Sequence, residues 1–283
     1  LIVIWIQTTV YQYLKVDGIV KWLNIALFSV IRVVYSCYIT EITIVKKVLD
    51  MQSNNKIMSL MQPTYYPWLG YFNLIKQSDV FVVYTTTQLQ KRSWQVRNKI
   101  KTSQGETFLS IPVKKTANRN DLMIKDAEIL YDNKWNTKHL ASIKHAYSKT
   151  PYFDNIFPII EYHLSGTHKL LTDVTFGLIL DIVDILNIDT EIVLSSDITY
   201  TGKKDHALIS MCKELGVNKY LSVKGSMDYI LDGENLFETN NIDLLWHEYT
   251  HPTYEQVNGD FVPYIGIIDA LFNIGPEKTS ELI

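Results

Sequence analysis

Hydrophobic and polar positions along this chain switch repeatedly between a period near two and a period near 3.6. Ile57 to Met61 is a short apolar run that stops at Gln62-Pro63, and an apolar-periodic stretch restarts at Tyr71, Leu74 and Ile75. Val80 to Tyr84 is a continuous run of β-branched and aromatic residues, the pattern of a strand buried on both faces. Strand, helix, strand within about thirty residues predicts a βαβ unit with its ligand crevice outside the carboxyl ends of the strands. Thr107 to Val113 alternates as a further strand stopped by Pro112, and a basic, polar loop runs from Lys114 to Asp121. Asn133 to Tyr147, Phe153 to Leu164 and Leu170 to Leu186 then carry helical spacing, bounded by Thr150-Pro151, Gly166 and Asn187. Alternation returns in Ile192 to Leu194, Lys219 to Val223 and Ile242 to Trp246, with a helix from Lys204 to Leu215 ending at Gly216. Ile267 to Asn273 is a short amphipathic helix with Gly275-Pro276 as its stop. The order predicts an α/β fold: a mostly parallel sheet built from βαβ units, with a central helical insertion or subdomain at about 133–187.

Residues 1–50 do not share this pattern, and Met51 stands directly upstream of the part that does. They read as an atypical N-terminal extension that need not belong to the native domain of 51–283. The uncharged runs Leu1 to Leu14 and Trp22 to Ile31 are each shorter than the roughly 18–20 residues of a membrane span. Joining Trp22 to Thr40 places Arg32 near the middle, at a cost of roughly 2.5–3.5 kcal/mol. No basic stretch precedes the apolar start and no small-residue cleavage site follows it, so a signal peptide is not expected. Membrane association is expected only if residues 1–50 form an anchor.

Composition narrows the function classes. With 283 residues, 47% hydrophobic and 20% charged, the chain can bury a full core. A net charge of −3 argues against general nucleic-acid binding, which needs a basic surface to displace counterions. Two cysteines, Cys37 and Cys212, are too few for a disulfide framework or a thiolate zinc site, and a reducing cytoplasm is the expected location.

Candidate chemistry gathers in three places. Pro63 and Pro67 stiffen the loop between the first strand and helix until Gly70 releases it, and a helix N-terminus behind such a loop suits an anionic ligand. Tyr65, Tyr66 and Trp68 either stack on a flat ring or sugar face, or pack beneath the loop as core. The run Gln90 to Lys101 is the second place. If helical, Lys91, Trp94, Asn98 and Lys101 fall near one face; if extended, Lys91, Arg97, Lys99 and Lys101 share a side. Either arrangement gathers positive charge for a diphosphate, unless the run is a solvated basic face.

The third place is His247-Glu248-Tyr249-Thr250-His251, a literal match to the H-E-x-x-H zinc-protease motif. A strand enters it and Pro252 disfavours helical geometry at His251, so a zinc hydrolase through His247, Glu248 and His251 is a minor alternative and no metal is expected. In a loop, His251 suits proton transfer or a structural hydrogen bond. His139 and His145 are too far apart for i, i+4 pairing and read as surface or core residues. Asp269, amid apolar residues, either faces solvent or is buried against one of the basic groups. Ser222 stands at a strand end before the small-residue turn Gly225-Ser226, where backbone can approach a ligand.

Several of these motifs recur together in a known family. Gln62-Pro63-Thr64-Tyr65, Pro67 to Phe72, Lys91-Arg92-Ser93-Trp94, Arg97 to Lys101, His251-Pro252, Tyr254, Phe261 to Tyr264 and Phe272 to Glu277 resemble, in order, the WbqC-like protein family. The resemblance runs from about Lys56 to the C-terminus. It implies a role in bacterial surface-polysaccharide biosynthesis of the O-antigen or lipopolysaccharide type, as a transferase that moves an acyl or aminoacyl group to a nucleotide-activated amino sugar. Under that reading Lys91, Arg92 and Arg97 bind phosphate, Tyr65 and Trp68 flank the sugar or base, and His251 takes a proton from the attacking amine. Tyr71, which stands where nucleotidyl-transfer folds carry a histidine, and Asp269 complete the catalytic candidates. Gln62, Gly70, Trp94, Asn98, Lys101, Ser222 and Tyr254 complete the binding set for a nucleotide-activated sugar or other anionic small molecule, with no cofactor. The alternative is a non-catalytic sugar-nucleotide-binding or assembly protein of the same pathway. The chain departs from the family at Thr85-Thr86, where paired aspartates are usual, at Val96 and at Val223.

Overall fold

The computed structural model describes residues 55–115, 122–230 and 234–283; the 1–50 extension and the greater part of the polar loop ending at Asp121 lie outside the described residues. Five strands form one parallel sheet: β1 (Ile57–Met61), β2 (Val80–Val83), β5 (Glu191–Leu194), β6 (Lys219–Val223) and β7 (Asp243–His247). Their order is β5-β2-β1-β6-β7, with Met58 opposite Val80 on one side and Tyr220 on the other. The chain builds outward from β1 in one direction and then returns to its other side, so the order reverses between β1 and β6. This is an α/β fold with a mostly parallel central sheet and surrounding helices.

The period of two explains the layering. Met58, Val80, Val82 and Tyr220 point to one face, where they pack with Ile209, Met211 and Cys212 of α5 (Asp205–Glu214) and Phe237 of α7 (Glu234–Thr239), which follows the short α6 (Met227–Ile230). Phe81, Val83 and Leu221 point to the other, larger core, which holds α1 (Leu69–Lys76) and the three insertion helices α2 (Trp135–Tyr147), α3 (Phe153–His163) and α4 (Leu171–Ile185). A sheet covered on both faces has no solvated side, which is why its strands read as apolar runs.

Three sequence expectations change. The Gln90 to Lys101 run is neither wholly helical nor wholly extended: β3 begins only at Arg97 and runs to Thr102. It pairs antiparallel with β4 (Gly105–Ser110), which lies earlier than the Thr107 to Val113 alternation suggests, and the hairpin stands apart from the main sheet. Gly275-Pro276 is a break within the last helix, α8 (Ile268–Glu281), and the helix resumes beyond it. Gly275 turns there with φ +80, and a Cβ on it would lie 2.4 Å from the ring of Tyr152. Among the described residues no helix is long and apolar enough to cross a membrane.

His139 ties the insertion to the loop after β1. The Ser110 N–H donates to its Nε2 at 3.1 Å, so Nδ1 carries the proton and faces the Tyr65 hydroxyl at 3.1 Å, which donates in turn to the Tyr66 hydroxyl at 2.9 Å. Burial pushes the His139 pKa down from 6.5 to about 4. Because the folded pKa lies below the unfolded one, the neutral ring's contribution is complete above about pH 6.5 and is lost as pH falls towards 4, by up to about 3 kcal/mol. Denaturant titrations between pH 7 and 4.5 should show this loss, and a His139→Gln variant should show a shallower one.

Candidate functional site

The segments following the carboxyl ends of the parallel strands meet beside β1. Residues 62–68 leave β1 and are held from both flanks. On the hairpin side, the Tyr65 N–H donates to Trp94 O at 2.9 Å, Asn98 Nδ2 to Tyr66 O at 2.6 Å, and Gln95 Nε2 to Gln62 Oε1. On the other side, the Ile267 N–H donates to Pro67 O at 2.8 Å, and Gly266 lies so near Tyr66 that a Cβ would stand 2.7 Å from its carbonyl oxygen. Tyr65 and Tyr66 are fully buried, so of the two readings of these aromatics the core one describes them; Tyr65 has no face free to flank a sugar.

Trp68 differs. Its indole is partly exposed, stacks on the His251 ring at 6.1 Å and 10°, and meets Tyr249 and Tyr264 edge-on, each at 5.5 Å. The indole also lies over α1 at Gly70, where an added Cβ would come within 2.1 Å of it. Gly70 is helical, and its value is the missing side chain rather than release of the loop. His251 is fixed at both nitrogens: Nδ1–H donates to Pro252 O at 2.9 Å and Nε2 accepts from the Tyr264 N–H at 3.2 Å. Burial lowers its pKa, so the ring is a neutral brace behind Trp68, with no lone pair free to take a proton from an amine.

The H-E-x-x-H run does not form the helix its zinc chemistry requires. β7 ends on His247, whose Nε2–H donates to Asn73 Oδ1 at 2.6 Å; Glu248 points to solvent and pairs with Lys224 at 2.6 Å. His251 lies in irregular chain beyond. Among the described residues no group of three or more His, Cys, Asp or Glu side chains is arranged to hold a metal ion.

The basic residues separate instead of converging. Lys91 and Arg92 are exposed on a turn. Arg97 lies over the Phe108 ring at 4.7 Å with its Nε buried and unpartnered, and Lys99 pairs with Glu106. Lys101 is 2% exposed and turns inward, donating to Gly259 O at 2.9 Å, Asp260 O at 2.6 Å and Gln256 Oε1 at 3.2 Å. Asp269 is buried nearby, and its partners are hydroxyls: Tyr147 donates to Oδ1 at 2.8 Å and Tyr254 to Oδ2 at 2.9 Å. Burial raises the Asp269 pKa, while those hydroxyls and the Lys101 charge oppose the rise. Lys101, Tyr254 and Asp269 therefore fasten the 254–262 segment. Ser222 bonds Ser226 at 2.6 Å, and the departing Thr85-Thr86 pair receives Ser195 of the β5 end, with the Thr85 N–H donating to its Oγ at 2.9 Å.

What these braces enclose is a cavity of about 260 Å³ at the end of β1. It is lined by Met61, Trp68, Trp94 and Tyr264, together with Thr64, Tyr71 and Asn98. The Thr64 and Tyr71 hydroxyls are buried without a hydrogen-bond partner, and burial pushes the Tyr71 phenol well above its ordinary pKa. Of the residues singled out from sequence, the fold gathers Trp68, Tyr71, Trp94 and Asn98 here. Thr64 and Tyr264 lie inside motifs quoted above without being singled out, and their pattern marks them no more than their neighbours. Phe108 belongs to no motif; only hairpin pairing brings it to the rim, 6.2 Å from Trp94.

Two substitutions test this construction. Gly70→Ala should displace the Trp68 indole, changing the near-ultraviolet circular dichroism and costing about 1–3 kcal/mol in denaturant unfolding. Asp269→Ala should cost about 2–4 kcal/mol, because two buried tyrosine hydroxyls lose their acceptor. It should also raise proteolytic cleavage within 254–262.

Known proteins resemble this chain along most of its length. Residues 62–281 match the model of the WbqC-like protein family. Uncharacterized protein Rv1507c of Mycobacterium tuberculosis (strain ATCC 25618 / H37Rv) is 31% identical over 230 residues, covering 80% of this chain and 97% of that protein. No solved structure matches the chain significantly. With the motifs of 62–72, 91–101 and 251–277 now seen to build one cavity and its supports, the match has a structural basis: the chain belongs to the WbqC-like protein family.

Proposed function

We propose that this protein is a transferase of bacterial surface-polysaccharide biosynthesis that moves an acyl or aminoacyl group to a nucleotide-activated amino sugar. The observation that carries the reading is the aromatic-walled cavity at the carboxyl end of β1, beside the reversal of strand order, sharing Trp94 with the cationic hairpin. Open α/β sheets bind ligands at such reversals. A pocket of about 260 Å³, open to solvent on the side of the exposed Trp94 and Tyr264, has room for one substituted ring. In this scheme the sugar enters beside Trp68 and Trp94, and the diphosphate stays outside, beside Arg97 and Phe108.

His251 positions Trp68 in this scheme, and Tyr71, held protonated by burial, is a hydrogen-bond donor rather than a base. A second reading, a non-catalytic sugar-nucleotide-binding protein, is favoured by the lining itself, which contains no carboxylate or imidazole.

Thermal shift against a panel of nucleotide-activated amino sugars should show stabilisation by at least one. Arg97→Ala should weaken that binding about 10- to 100-fold, the loss expected for a charged hydrogen bond to phosphate. Incubating the stabilising sugar with acyl and aminoacyl thioesters separates the readings, since only a transferase consumes it. Stabilisation by none of the panel would overturn both.

A further inference from the structure

The parallel sheet has an open edge at β5, which stands last in the strand order and pairs only with β2. In a parallel ladder one residue turns both its N–H and its C=O to the same neighbour, and the next residue turns both to the other side. The Glu191 N–H donates to Asp79 O, just before β2, at 3.1 Å. Glu191 and Val193 therefore face β2, while Ile192 and Leu194 turn their backbone groups outward, where no strand of the described residues meets them. That edge opens into a second cavity, of about 310 Å³, lined by Ile192, Val193 and Leu194 themselves. Phe176 of α4 lines it on the side of the larger core, and Leu180, one turn along the same helix, is exposed. Ile198 and Leu215 line it on the side of the smaller core.

The charge along this groove has one sign. Asp197 and Glu214 line it and are exposed, Glu191 is exposed at the head of the strand, and none of the three forms an ion pair among the described residues. Lys213, beside Glu214, donates instead to Asn240 Oδ1 at 2.6 Å. A second copy of the chain fits badly here, because pairing β5 with itself sets an acidic groove against an acidic groove. An added strand sends successive side chains to opposite faces, so one set would meet Phe176 and Leu180 of α4 and the other the Glu214 carboxylate at the end of α5. We propose that the β5 edge docks an extended segment of a partner protein in which apolar residues alternate with Lys or Arg, added to the sheet as a further strand. Backbone bonds at Ile192 and Leu194 give such a segment its hold, and the alternation gives it specificity. The proposal is independent of the transferase reading.

The test uses the full chain, isotope-labelled for NMR titration, and three capped hexapeptides: Val-Lys repeated three times, the same peptide with Glu for Lys, and the first with every backbone nitrogen methylated. The Val-Lys peptide should bind saturably and shift the Ile192 and Leu194 amides more than those of Glu191 and Val193. The Glu peptide should bind roughly tenfold more weakly or worse, and the methylated one should not bind, having lost its donors. Reversing both groove charges with Asp197→Lys and Glu214→Lys, each at an exposed side chain, should weaken the Val-Lys peptide about tenfold and strengthen the Glu peptide. No saturable binding of the Val-Lys peptide, equal binding of the Glu or the methylated peptide, or shifts centred away from β5 would each overturn the proposal; the peptide comparisons need no variant to fold. A light-scattering mass of two chains that falls to one in Leu180→Lys would overturn it as well, by giving the edge to a second copy.

Discussion

Everything around the cavity depends on keeping two charged side chains inside the protein. Lys101 and Asp269 are each about as buried as the core around them, and an isolated charge in that position is expensive. The cost is met by ligation: three oxygens around the Lys101 ammonium, two hydroxyls on the Asp269 carboxylate. Those ligands come from α2 and from 254–260, while the lysine is on β3 and the aspartate on α8. The hairpin, the insertion, the last helix and the segment after β7 are thereby held in one geometry, since moving any of them strands a charge.

From that fixed frame the placement of the indole follows. The 248–267 segment carries His251 and Tyr264, and the hydrogen bond from the Tyr264 N–H to His251 Nε2 closes it on itself. The imidazole stands flat against Trp68, and Gly70 supplies the room on the other side. A residue that looks catalytic from its type thus acts through another, by setting the wall of a cavity. The same holds for Tyr254 and Asp269, both candidates from the sequence, which touch one another and do not line the cavity.

The cavity is neutral and aromatic, and the cations sit outside it. That separation matters chemically because a charge is far costlier to desolvate than a neutral group, and the cations stay where water can share them. Arg97 over Phe108, with Trp94 beside them, forms a rim of that kind. Lys99 is diverted to Glu106, which reduces the positive charge there.

The order of elements, the parallel sheet, the helical insertion and the two-faced core were all determined locally, because period and punctuation are properties of neighbouring residues. So was the proline loop beside the first strand, and the motifs marked the segments that build the site. What tertiary structure alone decided was which motif residues face the cavity and which hold it up. Lys101 shares the strand face of Arg97 and Lys99 by its number, yet turns inward because carbonyls from 259 and 260, more than 150 residues away, stand there to receive it. His251 loses its free Nε2 to a backbone amide thirteen residues on, while its Nδ1–H is held by the Pro252 carbonyl. Tyr65 is core and Thr64 beside it lines the cavity, a difference set by packing against His139 and the hairpin. Partners brought together by long-range folding decide such roles, and no pattern within a segment records them.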